Sequence, residues 1–285
     1  VTVSGSGVIT LNTASDGANT DQIETVNLSG NGADVTYTIL GSATTITGSG
    51  ANVVNLAGNE AVFSGATISG VGTIDLNAGT AGAIAGGNWS AAKIDLGFDN
   101  DTNANAANIL TVADGSTVEI TSDQTSMDLD YAAGSAGNLT VVAGDDNGAS
   151  AAVGTITLGA LDLATGTATN AGTVTIEASI ANVTATSTVL DAAQSLVITG
   201  DEDVNLGQVT AASLSATGST GIITATTTTS ATTMTTGGGA DVLTVNGVAV
   251  HTISSGAGND GITVTNSSDT STFDAGAGND TFTLD

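Results

Sequence analysis

Three aspartates in this chain stand in the same short pattern, and the pattern has the chemistry of a hard-cation site. They occur in Gly237-Gly238-Gly239-Ala240-Asp241-Val242-Leu243, in Gly256-Ala257-Gly258-Asn259-Asp260-Gly261-Ile262, and in Gly276-Ala277-Gly278-Asn279-Asp280-Thr281-Phe282. Each reads G-x-G-x-D-x-U, with U a large apolar residue. Asp241 and Asp260 are 19 residues apart, and Asp260 and Asp280 are 20. Glycine permits a tight turn and leaves its carbonyl exposed. Carboxylate oxygens are the ligands that Ca²⁺ selects. The apolar residue two positions on faces inward and anchors the next strand. A repeat near this length is about two nonapeptides, one turn of a calcium-binding parallel β-roll.

The same register fixes what lies between the three loops. With the aspartate at position 6 of each nonapeptide, Leu243, Ile253, Ile262, Phe273 and Phe282 all fall at the core position 8. The intervening half-turns, Asn246 to Ser254 and Asn266 to Asp274, carry His251 and Ser271 at position 6 and have lost most of their glycines. Metal is therefore expected along one side of the roll only.

Other acidic groups are weaker candidates. Aspartate in a Gly-rich turn commonly bonds its own backbone, but three copies in one register favour calcium. Asp99-Asn100-Asp101-Thr102-Asn103 starts like an EF-hand loop, yet Ala104 replaces the required glycine and Leu110 the closing glutamate. It reads as a polar loop. Asp145-Asp146 and Asp201-Glu202-Asp203 read as solvated turn charges. Gly30-Asn31-Gly32-Ala33-Asp34 and Gly48-Ser49-Gly50-Ala51-Asn52 echo the repeat and read as Gly/Asn turns. His251 is the sole histidine, so a zinc site lacks partners.

Charge narrows the function classes. Lys and Arg total 1 against 28 Asp and Glu, a formal net charge of −27. Nucleic acid is not an expected partner, because phosphate binding rests on basic side chains. An anionic membrane surface fails for the same reason. Such one-sided charge repels itself in a compact state unless cations offset it. With no cysteine and no proline the chain has no disulfides. Enzyme chemistry is poorly supplied, with no thiol and a single imidazole. A carboxylate pair of glycosidase type is not singled out by any spacing.

Hydrophobic residues make up 40% and aromatics 2%, which suits a narrow core of small and β-branched side chains rather than a thick aromatic one. No apolar run reaches the length of a membrane span. Val1 opens directly in strand-like sequence with no leader pattern, so both ends read as cut from something longer. Short alternating runs recur, among them Val35 to Leu40, Thr73 to Leu76, Thr117 to Ile120, Thr155 to Leu158, Thr173 to Ile176 and Leu196 to Thr199. Apolar–polar alternation of this length marks half-buried strands. The threonine-rich stretch Thr226 to Thr236 still alternates through Ala231 and Met234 and allows strands. The expected fold is all-β, a right-handed parallel β-solenoid. Residues 1–235 form its degenerate part, with loop insertions near 99–107 and 145–152, and residues 236–285 the calcium-type β-roll. A sandwich of short strands is the competing architecture.

The three terminal loops resemble the RTX family, the calcium-dependent β-roll repeats of proteins exported by type I secretion from Gram-negative bacteria. The stretch from Val209 to Gly221, followed by threonine-rich strands and Gly237-Gly238-Gly239-Ala240-Asp241, is similar to RTX-bearing surface-layer (S-layer) proteins of the Caulobacter and Campylobacter kind. The resemblance implies that Asp241 and Asp260 share one Ca²⁺ and that Asp260 and Asp280 share the next. It implies that carbonyls of Gly237, Gly239, Gly256, Gly258, Gly276 and Gly278 complete the shells. Thr236, Ser255 and Ala275 replace the first glycine of the full motif, a departure expected to loosen the sites. The family's secretion signal is not recognisable here.

The implied role is a secreted, non-catalytic subunit of a surface layer or extracellular matrix, self-assembling at the cell surface. Its expected partners are further copies of itself, with cell-surface polysaccharide as a candidate, and without nucleic acid or membrane insertion. The alternative is a solenoid spacer in a secreted RTX adhesin. Polysaccharide lyases on β-helices resemble the chain in architecture, but they rely on arginine or lysine as base, which this chain almost lacks.

Overall fold

A computed structural model describes residues 9–12, 25–28, 35–38, 45–49, 52–56, 67–75, 87–97, 110–131, 136–144, 154–164, 171–227, 232–266, 268 and 270–284. Among them every regular element is a strand and none is a helix. The two expected insertions and the Asp99 to Asn103 loop lie outside the described residues, as do Gly30 to Asp34 and Asp145-Asp146. The chain divides into two compact units, Val1–Ser135 and Ala136–Asp285.

In the first unit the strands pair in two parallel columns. One runs Ile9–Asn12, Val35–Thr38 and Val53–Leu56; the other runs Thr25–Asn27 and Thr45–Thr47. Both feed the long strand Thr67–Asp75, whose first half pairs with Thr45–Thr47 and whose second half pairs with Val53–Leu56. Gly87–Leu96 stacks on it and hands the columns on to Leu110–Val112 and Ser116–Ile120. Ile46, Ile68 and Trp89 form one buried line through these turns, and Val54, Ile74, Ile94 and Val118 form another. Lys93, the only lysine, forms an ion pair with the buried Glu119. Asn52 Oδ1 accepts the Ser49 amide at 2.7 Å; Gly50 and Ala51, between them, lie outside the described residues.

The second unit is more regular. One column stacks Thr155–Leu163, Asn182–Leu190, Val204–Thr210, Ile223–Thr227, Val242–Asn246, Gly261–Asn266 and Thr281–Leu284. The other stacks Leu139–Ala143, Thr173–Ala178, Ser195–Gly200, Ser213–Ser215, Thr232–Thr235, His251–Ser254 and Thr272–Asp274. Every pairing is parallel and joins a strand to the next but one in sequence, which makes the unit a two-sided parallel β-solenoid. The ladder runs without a break through residue 235, so the three glycine–aspartate loops belong to the same stack as the turns before them.

Alternation decides the faces. Val174, Leu196, Leu214, Met234 and Ile253 occupy one buried line, in register from turn to turn. Thr173, Ser195, Ser213, Thr233 and Thr252, one residue away, line the outer face. Burying each Val, Leu or Ile contributes about 1.5–3 kcal/mol, and strand neighbours a fixed ~4.8 Å apart let small and β-branched side chains fill the thin core. Leu243, Ile253 and Ile262 are buried as their register requires, whereas Phe282 is 46% exposed and Leu284 72%. Those two stand in line with Ile262 and Val264, in the last described turn.

Candidate metal centre

The glycines position the three aspartates by letting the loops stack closely. Ala257 donates its amide to the Gly237 carbonyl at 2.8 Å, and Ala277 donates to Gly256 at 2.9 Å. Gly258 and Gly278 have φ of 140° and 148°, a region that disfavours any side chain. A Cβ at Gly258 would also strike the Gly239 carbonyl, and one at Gly278 would strike the Gly258 carbonyl. Each aspartate then sits immediately before a strand, and the ladder holds it there: Gly261 donates to the Asp241 carbonyl and Thr281 to that of Asp260, both at 2.8 Å.

The register places Asp241, Asp260 and Asp280 in one line along the axis. Followed the other way, that line passes through Ile223, Val204 and Val183, all buried. The carboxylates therefore occupy a column that the preceding turns fill with aliphatic side chains. Asp241 is 0% exposed and Asp260 2%. Asp280, in the last described turn, is half-buried.

Each carboxylate reaches back one turn. Asp241 Oδ1 accepts the Ile223 amide at 2.8 Å, Asp260 Oδ1 the Asp241 amide at 2.9 Å, and Asp280 Oδ1 the Asp260 amide at 3.0 Å. The bond is thus to the neighbouring turn rather than to the aspartate's own loop. The second oxygens of Asp241 and Asp260 are buried with no hydrogen-bond partner. An unsatisfied buried carboxylate oxygen is costly, and the unit Ala136–Asp285 contains neither lysine nor arginine to offset it.

Burial pushes the Asp241 carboxyl above the ordinary carboxylate range, and the Asp260 charge adds to that rise. The Thr236 hydroxyl and the Ile223 amide act in the opposite direction but do not cancel it. Thr236 and Ser255, the residues standing in for the motif's first glycine, form a ladder of their own. Thr236 Oγ1 donates to the Ser255 carbonyl and Ser255 Oγ to that of Ala275, both at 2.9 Å. At those positions the departure from the motif ties the loops together.

The donor set fits a divalent hard cation. It offers carboxylate oxygens without partners, no nitrogen or sulfur, and main-chain carbonyls alongside. Gly237 and Gly256 carbonyls already accept one loop-to-loop amide each, and a carbonyl has a second lone pair to give. Those of Gly239 and Gly258 face the Cα of the next loop's glycine and accept no main-chain amide among the described residues. Side chains alone do not make a shell, since among the described residues no three His, Asp or Glu groups converge. Carbonyls from Gly237, Gly239, Gly256, Gly258, Gly276 and Gly278 would have to complete it.

His251 lies in the other column, aligned with Thr232, and its amide donates to Ser271 Oγ at 3.0 Å. Both ring nitrogens are buried without a hydrogen-bond partner. Asp203 Oδ1 accepts the Ile222 amide at 2.8 Å, and Asp203 is exposed, as is Asp201. The roles of Ile223 in fixing Asp241 and of Thr236 in tying its loop to Ser255 were not visible in the motif, because each acts across a turn. In comparisons with known proteins, no family model matches the chain, and neither a curated protein nor a solved structure does.

Proposed function

We propose that residues 236–285 bind Ca²⁺ between successive G-x-G-x-D loops, and that the chain is a non-catalytic structural subunit of an extracellular layer or matrix, of the RTX-bearing surface-layer kind. The observation that carries this reading is the pair of buried, partnerless carboxylate oxygens on Asp241 and Asp260, stacked in consecutive turns. Calcium would neutralise the column and bridge its turns. The protein's own contribution is to hold the acceptors in line: Ile223 fixes Asp241, Asp241 fixes Asp260, and Asp260 fixes Asp280. Asp260 would serve two ions and Asp241 and Asp280 one each.

The unfolded chain has no such line, so binding couples to folding. Extracellular calcium modules work at millimolar concentrations, which suits a chain kept unfolded for export and ordered outside the cell. The −27 charge adds repulsion between copies that divalent ions would relieve. Circular dichroism and light scattering of the purified chain, with calcium and then with excess chelator, test this reading. Loss of both β-structure in the last turns and of assemblies on chelation supports it. Unchanged spectra and particle size overturn it.

A further inference from the structure

On the outer face of the second unit lies a polar groove that the calcium reading does not use. It is an open depression of about 190 Å³ bordered by Asn182, Thr184, Asp203, Asn205, Ile222 and Thr224. The ladder sets its geometry. Thr184, Asn205 and Thr224 form one outward rank across three turns, and two residues earlier stand Asn182, which opens its strand, and Asp203, which immediately precedes its own. Neighbours along a rank are ~4.8 Å apart and the two ranks are roughly 6.7 Å apart, the scale of a single sugar ring.

Three of these side chains are held by main-chain amides. Asp203 N–H donates to Asn182 Oδ1 at 2.9 Å, Ile222 N–H to Asp203 Oδ1 at 2.8 Å, and Gly207 N–H to Asn205 Oδ1 at 3.1 Å. A main-chain N–H can only donate, so each contact fixes which terminal atom is the acceptor. Asn182 and Asn205 must then keep their NH₂ groups for another partner, and Asp203 its second oxygen. Thr184 and Thr224 add hydroxyls that donate or accept, and Ile222, 38% exposed, adds an apolar rim.

Fixed amide donors beside a fixed carboxylate acceptor, with hydroxyls between them, form a set complementary to neighbouring hydroxyls on one ring. The ligand is not anionic, because Asp203 faces it and the unit has no lysine or arginine. A depression of this size takes one ring rather than a larger ligand. We propose that this groove binds an uncharged glycan, one ring seated among Asn182, Asp203, Asn205 and Thr224. It does not rest on the calcium reading, since its side chains are set by bonds outside the aspartate column. With few hydrogen bonds in an open site, affinity for one chain is on the order of millimolar, and an array of copies would multiply it.

Saturation-transfer NMR on the full chain in calcium buffer tests the proposal, with maltotetraose, cellotetraose, mannotetraose and N-acetylchitotetraose as uncharged probes and sialyllactose as the anionic one. At least one uncharged tetraose is expected to receive saturation. Asn205→Ala and Thr224→Val should each weaken its binding about 5–10-fold, the size of one lost hydrogen bond. Thr252→Ala, on the outer face of the other strand column, should leave it unchanged. Thr224→Val keeps the side-chain shape, so it remains informative where Asn205→Ala disturbs the strand. No transfer to any uncharged probe at ~10 mM, a concentration well above the expected Kd, overturns the proposal. So does binding unaffected by both groove variants, or preference for sialyllactose. Paramagnetic broadening by Mn²⁺ centred on Asp203, without sugar binding, would also overturn it and make the groove a cation site.

Discussion

Asp260 accepts the main-chain amide of Asp241 on one carboxylate oxygen at 2.9 Å and keeps its other oxygen buried with no partner. The first contact fixes the side chain; the second leaves a negative charge in a line of core positions. On the proposed calcium reading, that combination would make the three loops respond to a cation rather than merely tolerate one, and distinct predictions follow from different residues in it.

Asp260→Ala should remove more calcium than either neighbouring substitution, because Asp260 stands between two inter-loop spaces. Calorimetric titration should show a stoichiometry reduced by both ions, against one for Asp241→Ala. An unchanged stoichiometry in Asp260→Ala would show that the ions sit elsewhere.

Asp241→Ile should stabilise the calcium-free protein while weakening its response to calcium. The column already carries Ile223, Val204 and Val183, and relief of a buried charge with no cation beside it should outweigh the cost, about 1–3 kcal/mol, of leaving the Ile223 amide without its Asp241 acceptor. Chemical denaturation in chelator, followed by far-UV circular dichroism, measures the gain. A less stable variant in chelator would contradict the placement of Asp241 in the core.

Acid should partly substitute for calcium. Burial raises the folded-state pKa of Asp241 above its unfolded value, so the folded state favours the protonated carboxyl. Below the unfolded pKa both states are protonated and there is no penalty. As pH rises from there through the raised folded value, the unfolded chain ionises first and stability falls. The metal-free protein should therefore melt higher near pH 4 than at pH 7, and the shift produced by calcium should grow with pH. Melting curves across that range, with and without chelator, check both signs, and Asp241→Asn should flatten the metal-free trend.

Gly258→Ala should cost about 1–3 kcal/mol, the range for a residue forced into a disfavoured backbone region, and more if the loops separate. Gly261→Ala should cost far less, because its added Cβ would approach only the Asp241 carbonyl, at 4.0 Å. Thermal melts of the two variants in saturating calcium compare them directly.

The strand rhythm was legible because alternation is a local property: Thr73 to Asp75, Thr117 to Ile120 and Thr173 to Ile176 all lie within strands. The aspartate register was legible for the same reason, since a repeat of fixed length keeps equivalent residues in line. What the sequence could not display was the continuity between Asp241 and Ile223. Nothing in the text relates an acidic residue to an aliphatic one 18 positions earlier until the ladder aligns them. Thr236 is a similar case, a departure from the motif by its identity and a tie between loops by its position. The groove around Asn205 went unread because its members come from three turns and share no local pattern.

The change from Ile223 to Asp241 within one column also divides the second unit by what holds its turns. In a structure where each turn touches only its neighbours, stability is a sum of local links. In this column the links up to Ile223 are apolar and those beyond it contain facing carboxylates, so on the proposed reading only the latter would depend on ions. Under mechanical load at low calcium, the turns after Asp241 should peel away first and the yielding should halt at Ile223. This stack of turns would then be stiff where its links are apolar and yielding where they are charged, its compliance set by the ion concentration around it.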